Sequence, residues 1–335
     1  MSLDLKLLET DKKIDLLDSN ESLAQSGWAK APIWNYSRSH INKSSVDIKE
    51  WDRYIIFDTK GTYLVIASAF ETARRITCSI TYANLSSQSL VRKSKTYIAT
   101  KAASIPENST DNCQFNYSST EMRLTLIRQE NDGNILLSIP KIPVPNFGSG
   151  IDARFHYLIN PQSQIYTSAF PIDKTGRSFL LNQVTPIIIK AGFLRLGEQT
   201  LPVSENNTIA LFEYGRGKVS EKHLGRAIIC GMTDQGPISI NIIHRDQCAI
   251  LFNGKTYMND QIQLTQTYDC WNIRTKNNKV DLMIKSLMQR QEEFEPFSKE
   301  INSMLTIAIA RGFVDLGTES KLSINGLPVI VNSVL

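Results

Sequence analysis

Apolar and polar positions exchange over short runs along this chain, and turn residues bound the runs. In "YIIFDTKGTYLVIAS", residues 54–68, two β-rich runs flank Asp58-Thr59-Lys60-Gly61, where Gly61 is free to take a positive φ. The same arrangement recurs around Asp132-Gly133, Gln235-Gly236, Asn253-Gly254 and Asn325-Gly326, each flanked by Val, Ile, Thr, Tyr or Phe. Repeated runs of this kind predict hairpins, and therefore an antiparallel all-β protein.

Helical spacing is scarce. Leucines recur at helix-like intervals in "SLDLKLLETDKKIDLLDS", so residues 1–25 read as an N-terminal extension that a helix would suit. The stretch "VDLMIKSLMQRQEEFEPF" has helical Met and Leu spacing, but Val280, Leu282 and Ile284 also alternate, and helix and strand both stay open. The proline-rich residues 139–150 read as an irregular connection or a sheet edge. A chain of 335 residues calls for two cores rather than one. Open antiparallel edges invite aggregation, so strands in this number should close into barrels, two of which would use up the length. A large β-sandwich is the competing architecture.

The 37 basic residues are scattered among 33 acidic ones. That pattern is a solvated surface, not the one-sided cationic footprint of a nucleic-acid binder. No stretch approaches the ~18 consecutive apolar residues of a membrane span, and the start lacks a basic region ahead of an apolar core. Cys78, Cys113, Cys230, Cys248 and Cys270 are odd in number and widely spaced, without a CxxC pair, as expected of reduced thiols in the cytoplasm. Four dispersed histidines, no HExxH and no GxGxxG leave no motif for a metal or a cofactor, and none is expected.

Two stretches carry candidate chemistry. "GWAKAPIWNYSRSHI", residues 27–41, concentrates Trp28, Trp34, Tyr36 and Arg38, and Glu50, Trp51, Asp52 and Arg53 follow. These aromatics would plug one end of a first barrel, with Glu50 or Asp52 paired to Arg38 or Arg53, or else they would touch a ligand directly. In "ALFEYGRGK", residues 210–218, an apolar run stops at Glu213 and Tyr214 and a Gly215-Arg216-Gly217 turn follows. One reading is a Glu213–Arg216 ion pair that pins the turn. In the other, Glu213 faces an apolar cavity, where burial disfavours its charged form and suits it to acid catalysis.

The blocks Gly27-Trp28-x-Lys30-x-Pro32, Asn35-Tyr36-x-Arg38 and Lys49-Glu50-Trp51-Asp52 resemble the opening motifs of a widespread family of uncharacterised bacterial proteins, a domain of unknown function. Phe179 and Asn182 fall in register with that family's Phe-Tyr-Tyr-Asn block. "FEYGRGK" stands where members read Asp-Trp-Gly-Arg-Gly-x-Trp, with Glu213 for Asp, Tyr214 for Trp and no tryptophan after the glycines. Through this family the chain is similar to AttH-like proteins, carotenoid hydratases and tocopherol cyclases. The resemblance implies two lipocalin-like barrels in tandem, placed here at residues 26–185 and 186–335 on Pro186 and on the position of the acidic-aromatic-glycine block. It implies Glu213 as the position of a suspected proton donor.

The combined expectation is a protein that binds a small apolar or amphipathic molecule. Trp34, Trp51, Asn182, Phe193, Tyr214 and Arg216 are the candidate contacts. The alternative is a cofactor-independent isomerase, hydratase or cyclase, with Glu213 as general acid and Asp52 as a second candidate acid.

Overall fold

The computed structural model describes residues 7–41, 48–72, 75–98, 104–219, 226–243, 247–260, 262–267, 270–292, 303–317 and 320–334. Strands dominate these residues, and the single helical element among them is a 3-10 turn at Arg38–His40. The first sheet runs, in spatial order, through Ser89–Ile98, Arg75–Asn84, Tyr63–Thr72, Ile48–Asp58, Thr208–Lys218, Phe179–Leu196, Gly148–Leu158, Asp132–Val144, Arg123–Gln129 and Cys113–Ser118. Its longest strand, Phe179–Leu196, changes neighbours midway. The first half pairs with Tyr166–Pro171 and Thr208–Lys218, the second with Gly148–Leu158 and Gln199–Val203.

The second sheet runs through Lys255–Asp260, Gln247–Phe252, Gly236–Ile243, Arg226–Thr233, Lys321–Val334, Ser303–Asp315, Val280–Glu292, Cys270–Thr275 and Ile262–Gln266. Bulges at Ile139/Pro143, His156/Tyr157, Ser286/Met288 and Ala310/Arg311 bend long strands and increase their twist, which lets each sheet curl into a barrel. The architecture is thus two lipocalin-like antiparallel β-barrels in tandem. Thr185 and Pro186 lie inside the Phe179–Leu196 strand, opposite Phe212 and Leu211. The change from one sheet to the other comes later, between Lys218 and Arg226.

Three of the five glycine positions read as turns form them. Gly61 has φ 67°, Asn253 and Gly254 have φ 48° and 72°, and Thr233 pairs with Gly236 across a tight reversal. The other two sit within strands. Gly133 clears space for the Tyr157 ring, whose hydroxyl oxygen would lie 2.3 Å from an added Cβ. Gly326 serves the bulge opposite Ala310 and Arg311. The ambiguous run at Val280 is a strand, Val280–Glu292, because its alternating residues Val280, Leu282 and Ile284 fill the second barrel's core. The N-terminal leucines form no helix over residues 7–25. That segment instead lies against the first barrel, where Leu16, Leu17 and Trp34 are buried in the core, and residues 1–6 of the expected extension fall outside the described residues.

Alternation gives the first barrel's strands two apolar faces. On one face Tyr54, Ile56, Phe212, Tyr214 and Leu181 join the interior core. On the other, Ile55, Phe57, Leu64, Val184 and Leu211 pack against Ile228, Cys230, Met288, Ile307 and Ile330 of the second barrel. A further inter-barrel cluster joins Trp28, Tyr166, Phe170 and Leu180 to Ile243, Ala249 and Leu251. Strands buried on both faces read as nearly continuous apolar runs, as residues 54–57 and 63–67 do.

Candidate functional site

The Thr208–Lys218 strand separates the candidate residues into two groups. Successive side chains of a strand point to opposite faces, so Tyr214 and Arg216 enter the first barrel while Glu213 faces the second. Both Glu213 and Arg216 are fully buried, on opposite sides of the sheet. The expected Glu213–Arg216 ion pair is therefore absent, and so is the turn: the strand continues through Gly215 and Gly217, paired with Trp51 and Lys49.

Inside the barrel, Asp52 lies between two arginines. Arg216 donates to its Oδ1 at 2.9 Å and Arg128 to its Oδ2 at 3.0 Å. The remaining guanidinium donors go to backbone carbonyls, at Pro106 (2.6 Å), Glu107 (3.3 Å), Trp51 (2.8 Å) and Gly215 (2.7 Å) for Arg216, and at Asn108 (3.1 Å) and Asp111 (3.2 Å) for Arg128. Tyr214 donates its hydroxyl to Glu107 O at 2.6 Å and lies under the Arg216 guanidinium. Nearby, Arg38 forms the expected pair with Glu50, which also accepts from Tyr36, and Arg38 donates to Ile105 O at 2.8 Å. Burial, and then Glu50, push the Tyr36 phenol far above its ordinary value.

The plug of this barrel end is thus the segment 104–111, clasped through its carbonyls by Arg38, Arg128 and Arg216. The tryptophans do not gather there. Trp34 belongs to the interior core, and Trp28 and Trp51 belong to the inter-barrel cluster. Asp52, Tyr214 and Arg216 have polar atoms committed to this clasp, an arrangement that holds a loop.

The outer face has different chemistry. Along each of three adjacent strands, every second residue passes from the first inter-barrel cluster, through a polar position, toward the second. The sequences are Ile55, Arg53, Trp51; Leu211, Glu213, Gly215; and Val184, Asn182, Leu180. The second barrel answers with Ser239 and Asn241, which lie between Cys230 and Ile228 on one neighbouring strand and Leu251 and Ala249 on the other. A polar seam is thereby enclosed between two apolar patches.

Glu213 places a carboxyl at the centre of the seam, at 0% exposure. Its Oε1 accepts the Trp51 indole N–H, and its Oε2 lies 3.6 Å from Arg53 Nη1. Gly215 makes this possible, since a Cβ there would lie 2.1 Å from the Trp51 ring. Asn182 donates to Tyr214 O at 3.3 Å and accepts from Asn241 Nδ2 at 3.2 Å, and the second of these bonds joins the two barrels. Of the expected contacts, Glu213, Trp51 and Asn182 meet at the seam. Phe193 does not. It pairs with Arg154 and Pro202, nine residues along the strand from the partner of Glu213, a separation of about 30 Å.

Sequence reading missed Arg128, Asn241, Ser168 and Ser239. Arg128 carried a signal, since "LTLIR" sets it on the same face as Leu124 and Leu126, and a cation on an apolar face needs a buried partner. The others depend on which strand faces the opposite barrel. Among the described residues no group of His, Cys, Asp and Glu is arranged to hold a metal ion, and no helix is long and apolar enough to cross a membrane.

Fold and seam together define a tandem lipocalin-like double-barrel protein with a buried carboxylate between its barrels. The chain belongs to the family described as "Domain of unknown function (DUF2804)", which matches residues 8–331. Among solved structures it is similar to kievitone hydratase from Nectria haematococca, at 13% identity and a TM-score of 0.51, over 88% of this chain and 93% of that one. A putative AttH from Nitrosomonas europaea gives 12% identity and a TM-score of 0.51, over 86% and 93%. No curated protein sequence matches the chain. At these identities the likeness is one of fold.

Proposed function

We propose that this protein binds a small apolar or amphipathic molecule at the seam between its barrels, with Glu213 and Trp51 at the centre of the site. The observation that carries this reading is the position of Glu213, a fully buried carboxyl on the inter-barrel face. The aromatic side chains of Trp28, Trp51, Tyr166 and Phe170 stand in the adjoining apolar cluster, and they supply the wall that such a molecule requires. Cys78, Cys113, Cys230 and Cys248 are free thiols set far apart in the sequence, which supports a reducing, cytoplasmic setting.

A second reading is a cofactor-independent hydratase, isomerase or cyclase in which Glu213 transfers a proton. Its support is the same buried carboxyl, together with the fold shared with a protein named kievitone hydratase. The contacts of Glu213 favour the binding reading. The Trp51 indole N–H donates to one carboxyl oxygen and the Arg53 guanidinium lies beside the other, an arrangement in which Glu213 serves as an acceptor.

Mass spectrometry of an organic extract of the purified protein tests the first reading. The expected result is one apolar or amphipathic compound in about stoichiometric amount, absent from an extract of an unrelated protein handled identically. An empty extract, followed by no retention of any hydrophobic compound from a lipid-rich lysate, would overturn it. Glu213→Gln, which keeps volume and removes the ionisable proton, separates the two readings: a binding protein keeps its ligand, whereas an enzyme keeps binding and loses turnover.

A further inference from the structure

The seam contains two hydroxyls that the protein itself leaves unmet. Ser168, on the Tyr166–Pro171 strand, is the cross-strand partner of Asn182 and shares its face, between Tyr166 and Phe170 of the inter-barrel cluster. Ser239, on the Gly236–Ile243 strand of the other barrel, stands two residues from Asn241 on the same face. They are 0% and 3% exposed, and neither Oγ has a hydrogen-bond partner. Hydroxyls elsewhere on this face of the first sheet find partners. Ser68 meets Ser79 at 3.0 Å, and Thr77 meets Thr96 at 2.8 Å.

The neighbouring amides do not fill the gap: Asn241 donates to Asn182, and neither serine oxygen has a hydrogen-bond partner. A buried hydroxyl without a partner loses its hydration and gains nothing in return, so an occupant is called for. We propose that Ser168 and Ser239, one from each barrel, form the hydrogen-bonding contacts for a hydroxyl or carbonyl oxygen of the molecule bound at the seam.

This inference rests on the inter-barrel binding reading and narrows its ligand class. A serine hydroxyl both donates and accepts, so it serves an alcohol or a ketone. Neither serine carries charge, and the surrounding Trp28, Tyr166, Phe170 and Leu251 are apolar or aromatic. The ligand class is therefore a neutral, mainly hydrocarbon or aromatic molecule bearing an oxygen function. A site built around such a bond rejects the analogue that lacks the oxygen, because its own polar groups are then left unpaired.

Fluorescence titration with 2-naphthol and with naphthalene, on the wild type and on Ser168→Ala and Ser239→Ala, tests the inference. The wild type should bind 2-naphthol about 10-fold more tightly than naphthalene. Each alanine variant should lower that ratio toward one while leaving naphthalene affinity and the melting temperature unchanged or raised. Equal affinities in the wild type would mean that water alone satisfies the two hydroxyls, which overturns the subsite and leaves the seam reading standing. A ratio that persists in both variants likewise overturns it. Failure of both probes to bind at all would overturn the subsite and the seam reading together.

Discussion

Gly215→Ala puts the geometry of the seam to a quantitative test. An added Cβ would lie 2.1 Å from both Cε2 and Cζ2 of Trp51. Carbon atoms settle at about 3.5–4.0 Å, so the indole has to retreat by roughly 1.5 Å. Cε2 is bonded to Nε1, and that retreat withdraws the N–H from Glu213. Forced repacking costs about 1–3 kcal/mol, and losing a hydrogen bond to a buried charged group costs about 1.5–3 kcal/mol. The expected destabilisation is therefore ~3–5 kcal/mol. At a strand glycine with room for a methyl group the same change stabilises by about 0.5–1 kcal/mol, so the two expectations differ in sign. Urea unfolding followed by tryptophan fluorescence reads the midpoint. The penalty should shrink to under about 1 kcal/mol in a Trp51→Leu background, as coupling between touching residues requires. An unchanged or raised midpoint in the otherwise native chain would refute the argument.

Asp52→Asn leaves Arg128 and Arg216 buried without their shared carboxylate and should cost about 3–5 kcal/mol in the same assay, far more than the isosteric shape change suggests. Arg216→Lys should rescue little of an Arg216→Ala loss, because one ammonium cannot address Asp52 and several carbonyls at once. Tyr63, Tyr82 and Tyr157 are each pushed up to about 12, chiefly by burial, above the ordinary phenol value of 10.0. The folded state holds these protons where the unfolded chain has released them, so their contribution to stability is complete below pH 10 and is lost as pH rises toward 12. Melting temperatures across that interval, with absorbance near 295 nm to follow phenolate formation, should fall as pH rises, and a flat profile would contradict the burial of these rings.

The barrels were legible because strand alternation is a local property. Residues 54–68 display two runs and a turn without reference to any distant part of the chain. The same period of two, applied within "FEYGRGK", separates Glu213 from Arg216, and the turn reading was suggested only by the two glycines, which here make room for Trp51 and neighbouring side chains. Asn241, Ser168 and Ser239 were not legible in the same way. Their meaning arises from the docking of one curled sheet on another, as in the contact of Asn182 with Asn241, 59 residues apart. Gly326 shows the same limit on a smaller scale, since a glycine of positive φ serves a bulge as well as it serves a hairpin.

The clasp on segment 104–111 divides its two sides unequally under mutation. Most of what Arg38, Arg128 and Arg216 receive from the segment is carbonyl oxygen, from Ile105, Pro106, Glu107, Asn108 and Asp111. Every amino acid carries that atom, so the half-buried Pro106 and Glu107 can change side chain while those bonds persist. The arginines have no such freedom, because no other side chain presents five donors in a rigid plane. A library randomised at Pro106 and Glu107 should therefore yield many folded proteins, and one randomised at Arg128 or Arg216 very few. Two positions of the segment that closes this barrel are thus open to new side chains, while the residues that secure it are the least replaceable.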